Sequence, residues 1–411
     1  MRHPIPTAVA AAALSAGLLA GCGNPAPVTP ASSAAATPAS PSVTPSAVHT
    51  SPAARTSPTA VPGNPPGFTP LSFTAISATH WWVLGSVPCG ARECPVIETT
   101  TDGGATFTRL PAPGGPFGPG LNSPPAAANI RFADPEDGWV FGPRLYDTHD
   151  GGRTWSEFSM LGQVTDVEPG LGAVFATVMM QLPCADHGTC TSADEMPNLW
   201  YDPSPARDAW GIDTAAGVVT EGLAVHGHSV WVVNSMSTRD GPAIGTGLLH
   251  SADGGSTFAV EPEPIPGIAC FYSPASDSVI WSYCSGGHFM FAYRSTDGGA
   301  HFSAAATDGT TAPTPDGFPN GSTLVAASAT VAAAASDLPG GSLIRTTDGG
   351  ATWTVVQRPP DQAGTWYLIG FTTPQAGYAL WQHGGASYRA SAAQLWHTTD
   401  GGATWSPVTI R

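Results

Sequence analysis

The chain contains no lysine, and only 11% of its 411 residues are charged. A phosphate-binding loop of the Gly-Lys-Ser/Thr kind is therefore excluded. No acidic residue occurs before position 68, whereas all 30 acidic residues and 12 of the 14 arginines follow it, so that part carries 12 − 30 = −18. Such a balance argues against nucleic acid and against an anionic bilayer surface as partner. No segment after residue 60 shows a sustained 3.6-residue apolar period with caps, which speaks against a helical domain.

One phrase is present in abundance. "TTDGGATW" occurs at Thr346–Trp353 and again at Thr398–Trp405. Looser copies are "TTDGGATF" from Thr100, "THDGGRTW" from Thr148, "SADGGSTF" from Ser251 and "STDGGAHF" from Ser295. Their aspartates are Asp102, Asp150, Asp253, Asp297, Asp348 and Asp400, at successive gaps of 48, 103, 44, 51 and 52 residues. The doubled gap predicts a decayed copy, and "SPARDAW", Ser204–Trp210, keeps the terminal Trp. Counting it gives seven units of roughly 49 residues, the length that four short strands and their turns require in a propeller blade.

The second unit shows the pattern best. It predicts strands over Ile130–Ala133, Gly138–Phe141, Leu145–Thr148 and Thr154–Phe158, with the Asp-Gly-Gly turn before the last. The Ala-rich stretch Ala326–Ala335 falls where the sixth unit needs its first two strands, and reads as weak strand. The reading is all-β: a single β-propeller of seven four-stranded blades with Asp-box turns, residues 68–411.

Within each phrase the residue types explain a turn. The aspartate accepts hydrogen bonds from amides that a tight turn leaves unpaired. The glycines supply positive φ. The Ser or Thr hydroxyl ties the turn from the other side, and the aromatic starts the next strand and packs into its sheet. One acidic residue per copy is too few for an EF-hand calcium loop, so the boxes read as structural.

The phrase resembles the Asp-box, or BNR repeat. That motif is found in sialidases, sortilin-type receptors, some plant-polysaccharide hydrolases and photosystem II assembly factor-like lipoproteins. The resemblance covers the whole chain after residue 67 and implies a β-propeller in which the box lies away from the active face.

Residues 1–21 read as a signal peptide: Arg2, then the apolar run "AVAAAALSAGLLA", too short to span as a mature helix. "LAGC" resembles a bacterial lipoprotein box, which implies cleavage before Cys22 and a lipid on it. Residues 22–67 are almost entirely Ala, Pro, Ser, Thr, Gly and Val and predict a disordered stalk. The expected location is the outer face of a bacterial cytoplasmic membrane, lipid-anchored and extracytoplasmic.

Six further cysteines fall as close pairs, Cys89 with Cys94, Cys184 with Cys190 and Cys270 with Cys284. In an exported chain they read as disulfides within single units. The rival reading is metal: "CADHGTC" sets His187 between Cys184 and Cys190, and His226 and His228 would share one strand face. No metal and no cofactor are expected.

Three functions compete. The first is a non-catalytic binding or assembly module for an envelope protein or glycan, acting as a monomer. It rests on resemblance to the photosystem II assembly factor-like group in anchor, single propeller and the pattern at Phe132–Gly142 and Phe371–Trp381. The second is a sialidase-like glycoside hydrolase. That resemblance implies three arginines on a substrate carboxylate, a Tyr–Glu nucleophile pair and an Asp acid/base. The first-unit stretch "GFTPLSFTAISATHWWVLGS" has no arginine, and Arg131 in "NIRF" is the nearest analogue. Glu221, Arg144, Arg239 and Arg389 are the other candidates for the channel face. The third is carbohydrate binding or another polysaccharide hydrolysis, suggested by 13 tryptophans, including Trp81 and Trp82 in "HWW". The non-catalytic reading ranks first.

Overall fold

The structure is a computed structural model. It describes residues 61–62, 67–117, 125–170, 172–181, 195–202, 211–212, 222–235, 246–265, 269–286, 289–307, 323–335, 339–383 and 393–410. All of these lie in one compact unit, Thr56–Arg411. The described elements are strands, and no helix among them is long and apolar enough to cross a membrane.

The strands form six antiparallel sheets of four and one of five, each built from consecutive strands in chain order. Their inner strands are Thr69–Ala75, Ala127–Phe132, Gln163–Gly170, Gly222–His226, Ala269–Pro274, Thr323–Ala326 and Gly364–Phe371. Each inner strand is hydrogen-bonded on one side only, to the second strand of its own sheet. Successive inner strands pack side by side around a β-propeller. In the second sheet the strands run Ala127–Phe132, Asp137–Pro143, Leu145–His149 and Ser156–Phe158. The first sheet owes its fifth strand to Val61–Pro62, which pairs with Thr108 and Arg109 on the outer edge. Two residues of the expected stalk thus belong to the sheet.

The ring closes by packing. All strands of the last sheet come from Gly364–Pro407, so no strand is exchanged with the first among the described residues. Instead Trp81 of the first sheet lies against Tyr378 of the last, ring centres 4.9 Å apart. The Tyr378 hydroxyl donates to the Ala78 carbonyl (3.3 Å), and that of Tyr367 to the carbonyls of Pro70 and Leu71 (both 3.2 Å).

The Ala-rich stretch forms two strands, Thr323–Ala326 and Ala332–Ala335. Its alanines succeed because tryptophans fill the space they leave. Ala332 and Ala334 pack with Trp281 and Trp353 on one face, while Ala333 and Ala335 pack with Trp366, Trp381 and Trp405 on the other. A fully buried aromatic of this kind contributes roughly 3 kcal/mol from burial alone.

Two cysteine pairs are bonded. Cys89–Cys94 closes the turn between the second and third strands of the first sheet. Cys270–Cys284 joins directly opposed residues of the first two strands of the fifth sheet. Cys184, His187 and Cys190 lie outside the described residues, as do Cys22 and the "SPARDAW" phrase.

Candidate functional site

The six boxes share one geometry. Each sits between the third and fourth strands of its sheet. In the box of Asp348, the Thr346 hydroxyl donates to Asp348 Oδ1 (2.8 Å) and accepts the Gly350 amide (2.9 Å). Asp348 Oδ1 also accepts the Thr352 amide (2.9 Å), and Oδ2 its hydroxyl (2.6 Å). The same bonds recur at Asp102, Asp150, Asp253 and Asp400. At Asp297 the place of the threonine hydroxyl is taken by His301 Nδ1, 2.7 Å from Oδ2. These bonds, led by that of the Thr352 hydroxyl, hold the Asp348 carboxyl down to about 2.

Each box also docks on its own sheet and on a neighbour. The amide of its first glycine donates to the turn joining the sheet's first two strands, as Gly349 does to Thr330 O (3.0 Å) and Gly151 to Glu136 O (2.9 Å). Box aromatics reach back to the preceding sheet, where Trp353 Nε1 donates to Ala305 O (3.3 Å) and Trp155 Nε1 to Pro111 O (3.0 Å). The aromatic packs into its own sheet, as expected, and also joins the preceding one. Gly350 shows why the second glycine is needed: its φ is +95°, and a Cβ there would lie 2.5 Å from Ala305 Cβ. Both oxygens of each box carboxylate accept bonds that hold the turn.

The central channel is different. A cavity of about 430 Å³ is lined by residues of all seven inner strands, including Arg131, Glu168, His226, Tyr272 and Ser273. These residues lie toward the C-terminal ends of the inner strands, the side on which the boxes dock, and not on the far face that the Asp-box resemblance implies for an active site. Arg131 Nε donates to Glu168 Oε1 at 3.2 Å, and its Nη1 donates to the Ile130 carbonyl at 3.1 Å. Its guanidinium also lies over the Phe141 ring, 5.8 Å from the centre. Asp166, two residues from Glu168 on the same strand, accepts the Val167 amide (2.9 Å) and feels the Arg131 charge. The Arg131 and Glu168 side chains are each 28% exposed. Burial pushes the Glu168 carboxyl up to about 7 against the pull of Arg131, and Asp166 adds to the rise. Burial likewise raises Asp166, with Arg131 opposing.

Of the channel-face candidates, the structure places Arg131 in the channel. Arg144 sits on the turn after the second strand of its sheet, 60% exposed, and pairs with Glu157 of the outermost strand at 3.0 Å. Glu221, Arg239 and Arg389 lie outside the described residues. Sequence reasoning missed Asp166 and Glu168. The signal was "TDVEPG", where two acids at alternate positions of one strand share a face.

Trp81 and Trp82 face opposite sides of their strand, and both are buried, at 0% and 1%. Trp82 stacks flat on Phe132 of the second sheet, ring centres 3.8 Å apart. Every tryptophan among the described side chains is buried or half-buried. His228 falls in the turn after Gly222–His226 rather than on that strand, and His226 Nδ1 lies 3.6 Å from Asp277 Oδ1. No set of three His, Cys, Asp or Glu side chains arranged for a metal occurs among the described residues.

Fold and boxes together define an all-β propeller whose unrepeated chemistry lies in its channel. No protein-family model matches the sequence, and no curated protein is similar to it. Solved structures are. The chain is similar to YCF48 bound to D1 peptide at 19% identity, over 79% of this chain and 94% of that one, with TM-score 0.49. An acylaminoacyl peptidase of Pyrococcus horikoshii is 8% identical over 83% of this chain and 52% of its own, with TM-score 0.54. A puromycin-hydrolysing peptidase of Mycobacterium tuberculosis is 11% identical over 83% and 53%, with TM-score 0.53. This chain thus spans about half of each peptidase. At these identities the likeness establishes the β-propeller fold and nothing about activity.

Proposed function

We propose that this chain is an exported, lipid-anchored β-propeller acting as a non-catalytic binding or assembly module at the cell envelope. The observation that carries the reading is the state of Arg131. A sialidase-like site needs arginines directed at a substrate carboxylate. Here the channel arginine is held by Glu168 and the Ile130 carbonyl, with Asp166 close by. A substrate carboxylate would meet two like charges there. The buried state of Trp81 and Trp82 removes them as a stacking platform for sugars.

The anchor belongs to the same proposal. "LLAGC" after an apolar run supports lipidation of Cys22, and the Pro-rich segment behind it would lift the propeller off the membrane. The Cys22→Ser chain should be released from membranes or remain unprocessed, and wild-type fractionation of that variant would refute the anchor. For the binding role, a photo-crosslinking residue at His226, exposed beside the channel, should capture an envelope component in intact cells. The same residue at Glu157, on an outermost strand, should not. Turnover of a fluorogenic sialoside above a boiled control, lost in Arg131→Ala, would overturn the non-catalytic reading.

A further inference from the structure

Neighbouring sheets are tied by side chains that reach from a second or third strand to a turn of the next sheet. Trp82 Nε1 donates to Gly151 O (3.3 Å), Trp231 Nε1 to Gly298 O (3.2 Å) and Trp281 Nε1 to Ser328 O (3.2 Å). Arg294 Nη1 donates to Ala329 O (3.1 Å) and Arg345 Nε to Gly401 O (2.6 Å). Indole and guanidinium donors of this kind do not titrate in the range where the fold exists. The joint between the seventh and first sheets is built differently. Its hydrogen bonds come from the Tyr378 and Tyr367 hydroxyls. Arg294 and Arg345 each stand one residue before a box hydroxyl, and the residue in that place in the seventh sheet is His397. Successive sheets are also joined by the chain, whereas the last and the first are not.

His397 lies directly opposite Tyr378 in its sheet and stacks on that ring, centres 4.7 Å and planes 13° apart. Trp81 of the first sheet is the next ring, 6.1 Å away. His397 Nε2 and Trp81 Nε1 are both buried and make no hydrogen bond among the described residues. A neutral imidazole tolerates this with Nε2 as its bare nitrogen. A protonated one carries an N–H there, and the indole, a donor only, cannot accept it. The Tyr378 face attracts a cation, yet it offers no acceptor to an N–H in the plane of the stacked ring. Among the described residues the titratable group facing His397 is Tyr378, whose hydroxyl burial keeps neutral. The fourth strand sets Ser406 opposite it, and the first sheet offers Trp81 backed by Phe107. His149, His226, His250 and His301 each have a carboxylate within 3.7 Å, and His397 has none that near among the described residues. Burial holds its imidazole below the ordinary value of 6.5.

We propose that the joint between the seventh and first sheets is an acid-sensitive clasp: a proton on His397 loosens it and opens the ring there while the sheets stay folded. The inference is independent of the binding-module reading. The channel cavity is lined by Phe73, Thr74 and Ala75 on one side of this joint and by Leu368, Ile369 and Phe371 on the other, so opening widens the channel. The sign follows from linkage. In the open ring the imidazole meets water and recovers its ordinary value, so opening takes up a proton. Opening is favoured as pH falls through about 6.5, and the gain levels off below the lowered value of the closed ring. At pH 5.5, one unit below 6.5, the gain is at most about tenfold.

The test is thiol labelling of the purified full chain with 4,4′-dithiodipyridine, a disulfide reagent that stays reactive in acid. Val83→Cys places a thiol in the joint between the seventh and first sheets, and Val232→Cys places one between the third and fourth, both at fully buried sites. The unsubstituted chain gives the background. The ratio of the two rates removes the pH dependence of the thiol itself and any change of the whole fold, including that from Glu168, which titrates in the same range. From pH 7.5 to 5.5 this ratio should rise about threefold to tenfold. The rise should vanish in His397→Phe, which keeps a flat ring on Tyr378 and takes no proton. His397→Gln repeats the measurement if that chain fails to fold. The rise should survive in His80→Gln, which removes the histidine stacked on Trp82 at the joint between the first and second sheets. A flat ratio in the chain with His397 intact would overturn the proposal. So would a rise that persists without His397, or one that His80→Gln abolishes.

Discussion

Carboxylates in two regions of this propeller behave oppositely. Those of the boxes sit at the surface yet are held low, Asp348 to about 2, because hydroxyl and amide donors converge on the ionised form. Those of the channel are pushed up, Glu168 to about 7, because burial outweighs the single guanidinium that faces them. The box carboxylates have every bond they need from within eight residues of chain. Repetition marks the first kind of site and is absent from the second.

The largest effect on the structural side of this contrast should come from Trp353→Ala. That side chain is fully buried, stacks edge-on with Trp281 and donates to Ala305 of the preceding sheet. Its removal should cost about 3–5 kcal/mol, measured by denaturant unfolding. A cost below 1 kcal/mol would mean that box aromatics do not join neighbouring sheets. Next comes loss of the Cys270–Cys284 bond, which closes a loop of separation 14. Replacing both cysteines with serine should destabilise the chain by about 3 kcal/mol, more than the same change at Cys89–Cys94, whose separation is 5. The reverse order in paired melts would contradict the loop argument.

Smaller again is Asp150→Ala. It strips the bonds to Thr148, Arg153 and Thr154 and should cost about 1–3 kcal/mol. Glu168→Gln should barely change stability at pH 5 and should raise it relative to wild type at pH 8. The sign follows from linkage: a carboxyl raised in the folded state stabilises it below about 4.5, and that contribution is lost as pH rises through about 7. Box aspartates work the other way. Their stabilisation is complete above about 4 and is lost as pH falls toward 2, so Asp348→Asn should flatten the acid limb of the stability profile. Parallel pH profiles for the two variants would erase the distinction between the regions.

The boxes were legible in the sequence because everything they need is local. Two glycines at positive φ, a carboxylate and a hydroxyl two residues before it define the turn without reference to the rest of the chain. Short apolar runs such as "WWVL" in "HWWVLGS" were enough to place second strands, and the spacing was enough to place sheets. Partners across sheets were not legible. Nothing near Trp353 in sequence points to Ala305, and nothing near Arg131 points to Glu168. Those pairs exist because successive inner strands stand side by side, a relation that appears only when the ring forms. Alanines 332 to 335 taught the same lesson, since their strand depends on tryptophans supplied by the fifth, sixth and seventh sheets.

The most direct measurement is the titration of side-chain carboxyl carbons by NMR, in chains labelled at Glu and Asp, with Glu168→Gln and Asp348→Asn used for assignment. The account predicts a Glu168 midpoint near 7 and an Asp348 midpoint near 2. A Glu168 midpoint near its ordinary value of 4.5 would contradict it.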